Sequence, residues 1–143
     1  MTVDYAAADL DIPLAEGNEP ALFKWLLASF LMGKPIRRSV AARAYRLLVD
    51  TQGYDTPAKL AAASRGRLVS VLGEAGYTRY DHSTAERLQR LALRLQQEYA
   101  GRVATIREVS ASRAECEGRL LQFDGIGPVT LAIFMAEVAP LWY

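Results

Sequence analysis

The stretch Leu120-Leu121-Gln122-Phe123-Asp124-Gly125-Ile126-Gly127-Pro128-Val129-Thr130 decides the fold of this chain. Two glycines flank one aliphatic residue, and helical patterns lie on both sides, so the stretch predicts a tight hairpin between two helices. We expect Ile126 to point back between these helices and to pack against Leu120 and Phe123. Pro128 begins the second helix, where its missing N–H costs nothing.

Such a hairpin offers a binding site for an anion. Its backbone N–H groups and the positive end of the second helix converge on one point, and a DNA phosphate fits there. We therefore expect Gly125, Ile126, Gly127, Val129 and Thr130 to form a DNA-binding segment, which needs no charged side chain of its own. A structural alternative is that the glycines serve only to end a helix.

Helical signals fill the rest of the chain, and no strand-like alternation competes with them. The pattern predicts seven helices, at about 22–31, 36–50, 57–63, 65–75, 85–101, 113–121 and 128–138. Thr56 and Ser64 are expected to cap two of them, and capping boxes are expected at Ser83/Glu86 and Ser112/Glu115. Pro140 should stop the last helix. The predicted fold class is all-α, a six- to seven-helix barrel-like bundle with a helix-hairpin-helix motif.

The charge is unevenly distributed along the chain. Residues 1–20 hold five acids and no base, whereas residues 21–143 hold 17 bases, 14 of them arginine, against 11 acids. We therefore divide the chain into an acidic N-terminal arm, 1–20, and a helical domain, 21–143. Arginine suits phosphate because its planar fork donates two hydrogen bonds at once. The excess of bases is compatible with nucleic acid and equally with a solvated helical surface.

The amino-acid composition excludes several kinds of cofactor site. One cysteine, Cys116, and one histidine, His82, exclude a disulfide within the chain, a Cys-based zinc site and a four-cysteine iron–sulfur cluster. No apolar run reaches membrane-spanning length, and the N-terminus is acidic where a signal peptide would be basic. We expect no metal site and no membrane partner. The expected location is intracellular, in the cytoplasm, and at the nucleoid if the protein is bacterial.

The pattern L-x-x-F-x-G-I-G-x-x-T resembles the helix-hairpin-helix–GPD superfamily, the endonuclease III-like DNA glycosylases. Helix order and spacing extend the resemblance from Ala21 to Val138, about 118 of the 143 residues. The resemblance implies double-stranded DNA, damaged in the substrate, as the partner. It also implies base-excision repair as the function, and a monovalent cation on the hairpin carbonyls as a possible ligand.

Two departures from that family limit the mechanism. Its bifunctional members carry a lysine two residues beyond the second hairpin glycine, where this chain has Val129, which can form no imine. The family also places an essential aspartate about twenty residues beyond that glycine, whereas this sequence ends at Tyr143. The catalytic residue is therefore unassigned. Either the native protein continues past Tyr143, which we favour, or this is a non-catalytic relative.

Two further segments are candidates for DNA contact. Lys34, Arg37 and Arg38 lie in a turn and helix start where relatives insert a polar wedge into the gap left by a flipped base, and phosphate contact is the expected role here. Tyr77 and Arg79 mix an aromatic ring with a guanidinium, which suits stacking and phosphate binding. The structural alternatives are a solvated helix start for the first segment and a core position for Tyr77.

Three functions remain open on the sequence alone. The first is a DNA N-glycosylase, monofunctional if active. The second is a non-catalytic helix-hairpin-helix module for DNA binding or scaffolding. The third is a helical protein–protein module with a fortuitous Gly-Ile-Gly turn. The damaged base and the oligomeric state stay open in each case.

Overall fold

Eight α-helices account for most of residues 5–143, the part of the chain that this computed structural model describes. In chain order they are α1 (Glu19–Met32), α2 (Arg38–Arg46), α3 (Pro57–Ala62), α4 (Arg65–Glu74), α5 (Asp81–Glu98), α6 (Ala104–Glu108), α7 (Arg113–Leu121) and α8 (Pro128–Trp142). Short 3-10 turns at Ala7–Leu10 and Leu14–Glu16 precede α1, and a π-helical turn, Leu47–Thr51, follows α2. No strand occurs within residues 5–143, so the predicted all-α class is confirmed.

Helix α1 forms the centre of the bundle. Of its 14 residues, 11 are buried, so it is apolar on all sides, as a fully enclosed helix must be. It packs against α2 and against α8. The indole Nε1 of Trp25 donates a hydrogen bond to the carbonyl oxygen of Phe134 at 3.2 Å, which satisfies the polar atom of a buried ring and ties α1 to α8.

The remaining helices surround this centre in two groups. Helix α5, the longest, packs against α3 and α4, while α7 packs against α6 and α8. Leu88, Leu91 and Leu95 supply the buried face of α5, as their helical spacing predicts. Helices α7 and α8 are the two arms of the predicted hairpin, and α8 packs directly against α1.

The N-terminal segment is part of the core. Ala7, Leu10, Ile12 and Leu14 are buried among the helices. The amide N–H of Ala7 donates to a carboxylate oxygen of Glu137 on α8 at 2.7 Å. Helix α1 begins at Glu19, capped by the side chain of Asn18, so the predicted boundary at residue 20 falls inside it. Of the five predicted arm acids, Asp4 lies outside the described residues.

Side-chain caps explain four of the eight α-helix starts, those of α1, α3, α4 and α7. Thr56 and Ser64 accept hydrogen bonds from the N–H groups of Lys59 and Arg67, as predicted. Ser112 likewise caps α7, but the predicted capping box is incomplete, because Glu115 accepts from the N–H of Ala111, at 3.1 Å, and not from that of Ser112.

The predicted capping box at Ser83 is wrong. Helix α5 begins two residues earlier, at Asp81, and the Ser83 hydroxyl donates back to the carbonyl of Tyr80 at 3.2 Å. The serine therefore lies inside the first turn of α5 and does not cap it.

The sequence also missed helix α6 and misplaced the end of helix α8. Helix α6 was not predicted: it has five residues, of which only Ile106 is buried, too few for a periodic signal. Helix α8 does not stop before Pro140 but continues to Trp142. Trp142 is buried and its ring packs edge-on against Phe134 at 5.9 Å between centroids. This contact and a hydrogen bond from Arg107 to the Trp142 carbonyl at 2.9 Å hold the last turn.

Candidate functional site

The hairpin joins α7 to α8 with the geometry that its two glycines allow. Gly125 has φ of +95°, in the left-handed region that favours glycine. A Cβ at Gly125 would lie 2.5 Å from Cζ of Phe30, so the backbone also approaches α1 too closely for a side chain. Ile126, Leu120 and Phe123 are all buried, which agrees with the expectation that Ile126 points back between the two helices.

Gly127 presents the open side of the hairpin. Its backbone is extended, with φ of −102° and ψ of −171°, and a Cβ there would meet no atom within 4 Å. In the first turn of the 15-residue helix α8, Pro128 has no N–H, and the N–H groups of Val129 and Thr130 precede the first hydrogen bond of the helix, from Leu131 to the carbonyl of Gly127. Together with the positive end of the helix, they form a surface that can accept an anion.

Lys34 lies against the hairpin from the side of α1. Its Nζ donates to the carbonyl oxygen of Gly125 at 3.2 Å and lies 5.2 Å from the ring centroid of Phe30. Burial lowers the pKa of Lys34, and the nearby guanidinium of Arg87 lowers it further, while Asp124 acts in the opposite direction. At this hairpin carbonyl the chain itself supplies a positive charge, where the family resemblance implies a monovalent cation.

Three arginines on one edge of α5 contact the hairpin segment 122–124. Arg87 and Arg90 pair with the two carboxylate oxygens of Asp124, at 3.4 and 2.9 Å. Arg94 donates to the backbone carbonyl of Gln122 at 2.7 Å and lies over the ring of Phe123, 4.9 Å from its centroid. We call Arg87, Arg90 and Arg94 the α5 arginine row.

Sequence reasoning missed this row, although a signal was present. Positions 87, 90 and 94 follow the three- and four-residue spacing that puts side chains on one face of a helix. The spacing alone could not show that this face borders the hairpin, because the two segments are about thirty residues apart in the chain and meet only in the folded bundle.

A cleft beside the hairpin gathers four of the predicted contact residues. It has a volume of about 750 Å³ and is lined by Lys34 and Arg37 from the turn after α1, by Arg38 at the start of α2 and by Val129 from α8. Val129 is 54% exposed, so the residue at the family's lysine position borders open space. The turn and the hairpin, separate in the sequence, thus form one surface.

A second cleft of about 560 Å³ adjoins the first and is more apolar in character. Tyr5, Met32 and Arg38 line both clefts, and the floor of the second includes Trp25 and Ile133. Glu137 brings a carboxylate to its wall. That carboxylate already accepts the hydrogen bond from Ala7, so it is held against the N-terminal segment.

Of the other predicted contact residues, Tyr77 needs correction and Thr130 restriction, while Arg79 is exposed as a contact residue must be. Tyr77 is 1% exposed and its hydroxyl donates to the carbonyl of Leu31 at 3.0 Å, so its ring is in the core and cannot stack on a base. The side chain of Thr130 is buried against Gly33, which leaves only its backbone for a ligand. Arg79 is exposed, with its guanidinium 5.5 Å from the ring centroid of Tyr80.

Comparison with known proteins adds no relative. No family model, no curated protein and no solved structure matches this chain. No helix within residues 5–143 is both long enough and apolar enough to cross a membrane.

Proposed function

We propose that this chain binds the backbone of double-stranded DNA through the hairpin, as a base-excision-repair protein similar to a monofunctional DNA N-glycosylase. The observation that carries the proposal is the open side of Gly127 at the N-terminus of α8. A phosphate there would meet unpaired backbone N–H groups and the positive end of a helix. Lys34 lies next to the hairpin and adds positive charge there. The α5 arginine row also borders the hairpin, with its guanidiniums paired to Asp124, Glu86 and Glu98.

The test is a substitution at Gly127 that leaves the fold intact. Valine accepts the extended backbone of Gly127, and its Cβ would meet no atom within 4 Å, so Gly127→Val should fold normally. Its branched side chain would stand between the backbone N–H groups and a phosphate. We expect duplex affinity to fall about tenfold or more, by a similar factor for different sequences, as measured by fluorescence anisotropy.

Gly118→Val provides the matched control. Gly118 lies on α7, the other helix of the hairpin, and a Cβ there also meets nothing within 4 Å. This variant should bind duplex as the wild type does. If folded Gly127→Val binds as tightly as Gly118→Val, the hairpin is not the DNA-binding element and the proposal fails.

For a glycosylase, the two adjoining clefts offer the space for a base turned out of the duplex. Breaking the N-glycosidic bond also requires a carboxylate to stabilise the developing positive charge. Single-turnover release of bases from a panel of damaged duplexes tests this activity. Release above the uncatalysed rate, lost when residues lining the clefts are changed, would support it.

One observation favours the alternative, a non-catalytic helix-hairpin-helix module. Two carboxylates beside the hairpin and the clefts are already engaged, Asp124 by Arg87 and Arg90, and Glu137 by the N–H of Ala7. If this alternative is right, duplex binding will depend on Gly127 while no damaged base is released. Base release that Glu137→Gln abolishes would contradict it.

A further inference from the structure

Two members of the α5 arginine row, Arg87 and Arg90, share one partner, the carboxylate of Asp124. Each oxygen of the Asp124 carboxylate faces a different guanidinium: Oδ1 lies 3.4 Å from Nε of Arg87, and Oδ2 lies 2.9 Å from Nη1 of Arg90. Two guanidiniums that converge on one group with one negative charge and two acceptor oxygens form an arrangement that also suits a phosphodiester.

The position of this cluster brings it within reach of the DNA backbone. Asp124 directly precedes Gly125, and a Cβ on Gly125 would lie 3.2 Å from Cδ of Arg87. The stem of Arg87 therefore rests on the hairpin itself. Because phosphates follow one another closely along a DNA strand, a strand with one phosphate at Gly127 carries another beside it.

The Asp124 pairs are open to solvent. The side chains of Arg90 and Asp124 are 60% and 46% exposed, and that of Arg87 is 37% exposed. Ion pairs with this exposure contribute little to stability, so the carboxylate can be displaced without disturbing the fold. Lys34 lies near the same side chains, because Arg87 lowers the pKa of Lys34 and Asp124 raises it.

We propose that Arg87 and Arg90 form a second phosphate-binding position beside the hairpin, and that the carboxylate of Asp124 occupies it in the free protein. Binding of a DNA strand exchanges the carboxylate for a phosphodiester oxygen pair. Asp124 thereby weakens duplex binding, because every binding event must displace it. The proposal rests on the proposed function, in which DNA binds at the hairpin.

The test compares two variants with the same change in net charge. Asp124→Asn removes the charge that holds Arg87 and the Nη1 group of Arg90, while Nη2 of Arg90 stays paired with Glu86 at 2.6 Å. Glu117→Gln removes a charge on α7 that pairs with Arg113 at 3.4 Å, away from the α5 arginine row. We expect Asp124→Asn to bind a short duplex about fivefold more tightly than the wild type, and Glu117→Gln to bind as the wild type does.

A double variant separates this exchange from general repulsion between Asp124 and DNA. Arg87→Gln with Arg90→Gln should weaken binding and reduce the slope of log affinity against log salt by about 0.9, the value for one phosphate contact. Adding Asp124→Asn to that pair should give no gain in affinity. Equal affinity of Asp124→Asn and Glu117→Gln would overturn the inference, as would a gain that persists without the two arginines.

The Gly127→Val variant distinguishes the two proposals. If Gly127→Val weakens binding while Asp124→Asn behaves like Glu117→Gln, only the second phosphate position is wrong. If the wild type does not bind duplex, or Gly127→Val has no effect, the proposed function fails and the inference fails with it.

Discussion

Gly33 at the end of α1 lies directly against Thr130 in the first turn of α8. A Cβ on Gly33 would overlap Oγ1 of Thr130 and lie 3.0 Å from its Cβ. The absence of a side chain at Gly33 thus allows the end of α1 to contact the start of α8. Lys34, the next residue, can then reach the carbonyl of Gly125. This close approach connects the segment of Lys34, Arg37 and Arg38, predicted to contact phosphate, with the hairpin.

Alanine at Gly33 should therefore destabilise the protein. The backbone at Gly33, with φ of −75°, accepts alanine, so the effect comes from overpacking against Thr130. We expect a loss of about 1–3 kcal/mol in the free energy of unfolding, measured by urea denaturation. Gly118→Ala is the control: it adds a methyl group on an open helix face and should stabilise by about 1 kcal/mol.

A second substitution checks the cause of that loss. Thr130→Ala removes the oxygen that the new methyl group overlaps, so the double variant should recover part of the stability lost in Gly33→Ala. The recovery should be incomplete because the Cβ of residue 130 remains 3.0 Å away. A Gly33→Ala protein as stable as the wild type would contradict this account of the contact.

The local elements of this fold could largely be predicted from the sequence. The hairpin follows from glycines, a proline and apolar residues within eleven positions. The caps at Thr56, Ser64 and Ser112 follow from hydroxyl side chains directly before apolar helical patterns. These signals depend on neighbours in the chain, and the structure confirms them.

The arrangement of the site could not be predicted in the same way. Tyr77 beside Arg79 reads as a surface pair, yet the end of α1 provides a carbonyl, that of Leu31, that accepts its hydroxyl within the core. The role of Arg87 beside the hairpin depends on how α5 packs, which no local pattern encodes. Both cases are decided by tertiary contacts between distant segments.

The pKa of Glu115 provides a test of how α7 begins. A hydrogen bond from the N–H of Ala111 lowers the pKa of this carboxyl below its ordinary value of 4.5, and Arg119 lowers it further. A depressed folded-state pKa contributes stability that is present above the unfolded pKa and lost as pH falls through the folded pKa. We expect the wild type to lose more stability than Glu115→Gln on acidification below about pH 5.

Thermal unfolding of both proteins at a series of pH values measures this difference, and an NMR titration of the Glu115 carboxyl measures its pKa directly. The two proteins should approach each other in stability as the carboxylate becomes protonated. A Glu115 pKa at or above 4.5 would show that the contact with Ala111 does not form in solution.

Pro140 lies within α8 because tertiary contacts hold the turn that follows it. Proline has no N–H to donate to the carbonyl of Ala136, and this deficit costs about 3 kcal/mol in the middle of a helix. Near a helix end the cost is smaller, and we expect Pro140→Ala to stabilise the protein by about 1 kcal/mol in thermal unfolding. A destabilised variant would mean that the proline is required to place Trp142 against Phe134.

The last prediction concerns Val129, at the position of the strand-cleaving lysine in bifunctional members of the similar family. Valine forms no imine with an abasic site, so borohydride should trap no adduct on α8 of the wild type. Because Val129 is 54% exposed beside the cleft, Val129→Lys should fold and present an amine there. If the hairpin docks next to an abasic site, this variant should form a trapped adduct.

Leu141→Lys, which places an exposed amine at the far end of α8, is the control and should remain free of adduct. Wild-type adduct mapping to residues 128–142 would refute the prediction for Val129. Equal trapping by both lysine variants would show that the hairpin does not position the abasic site.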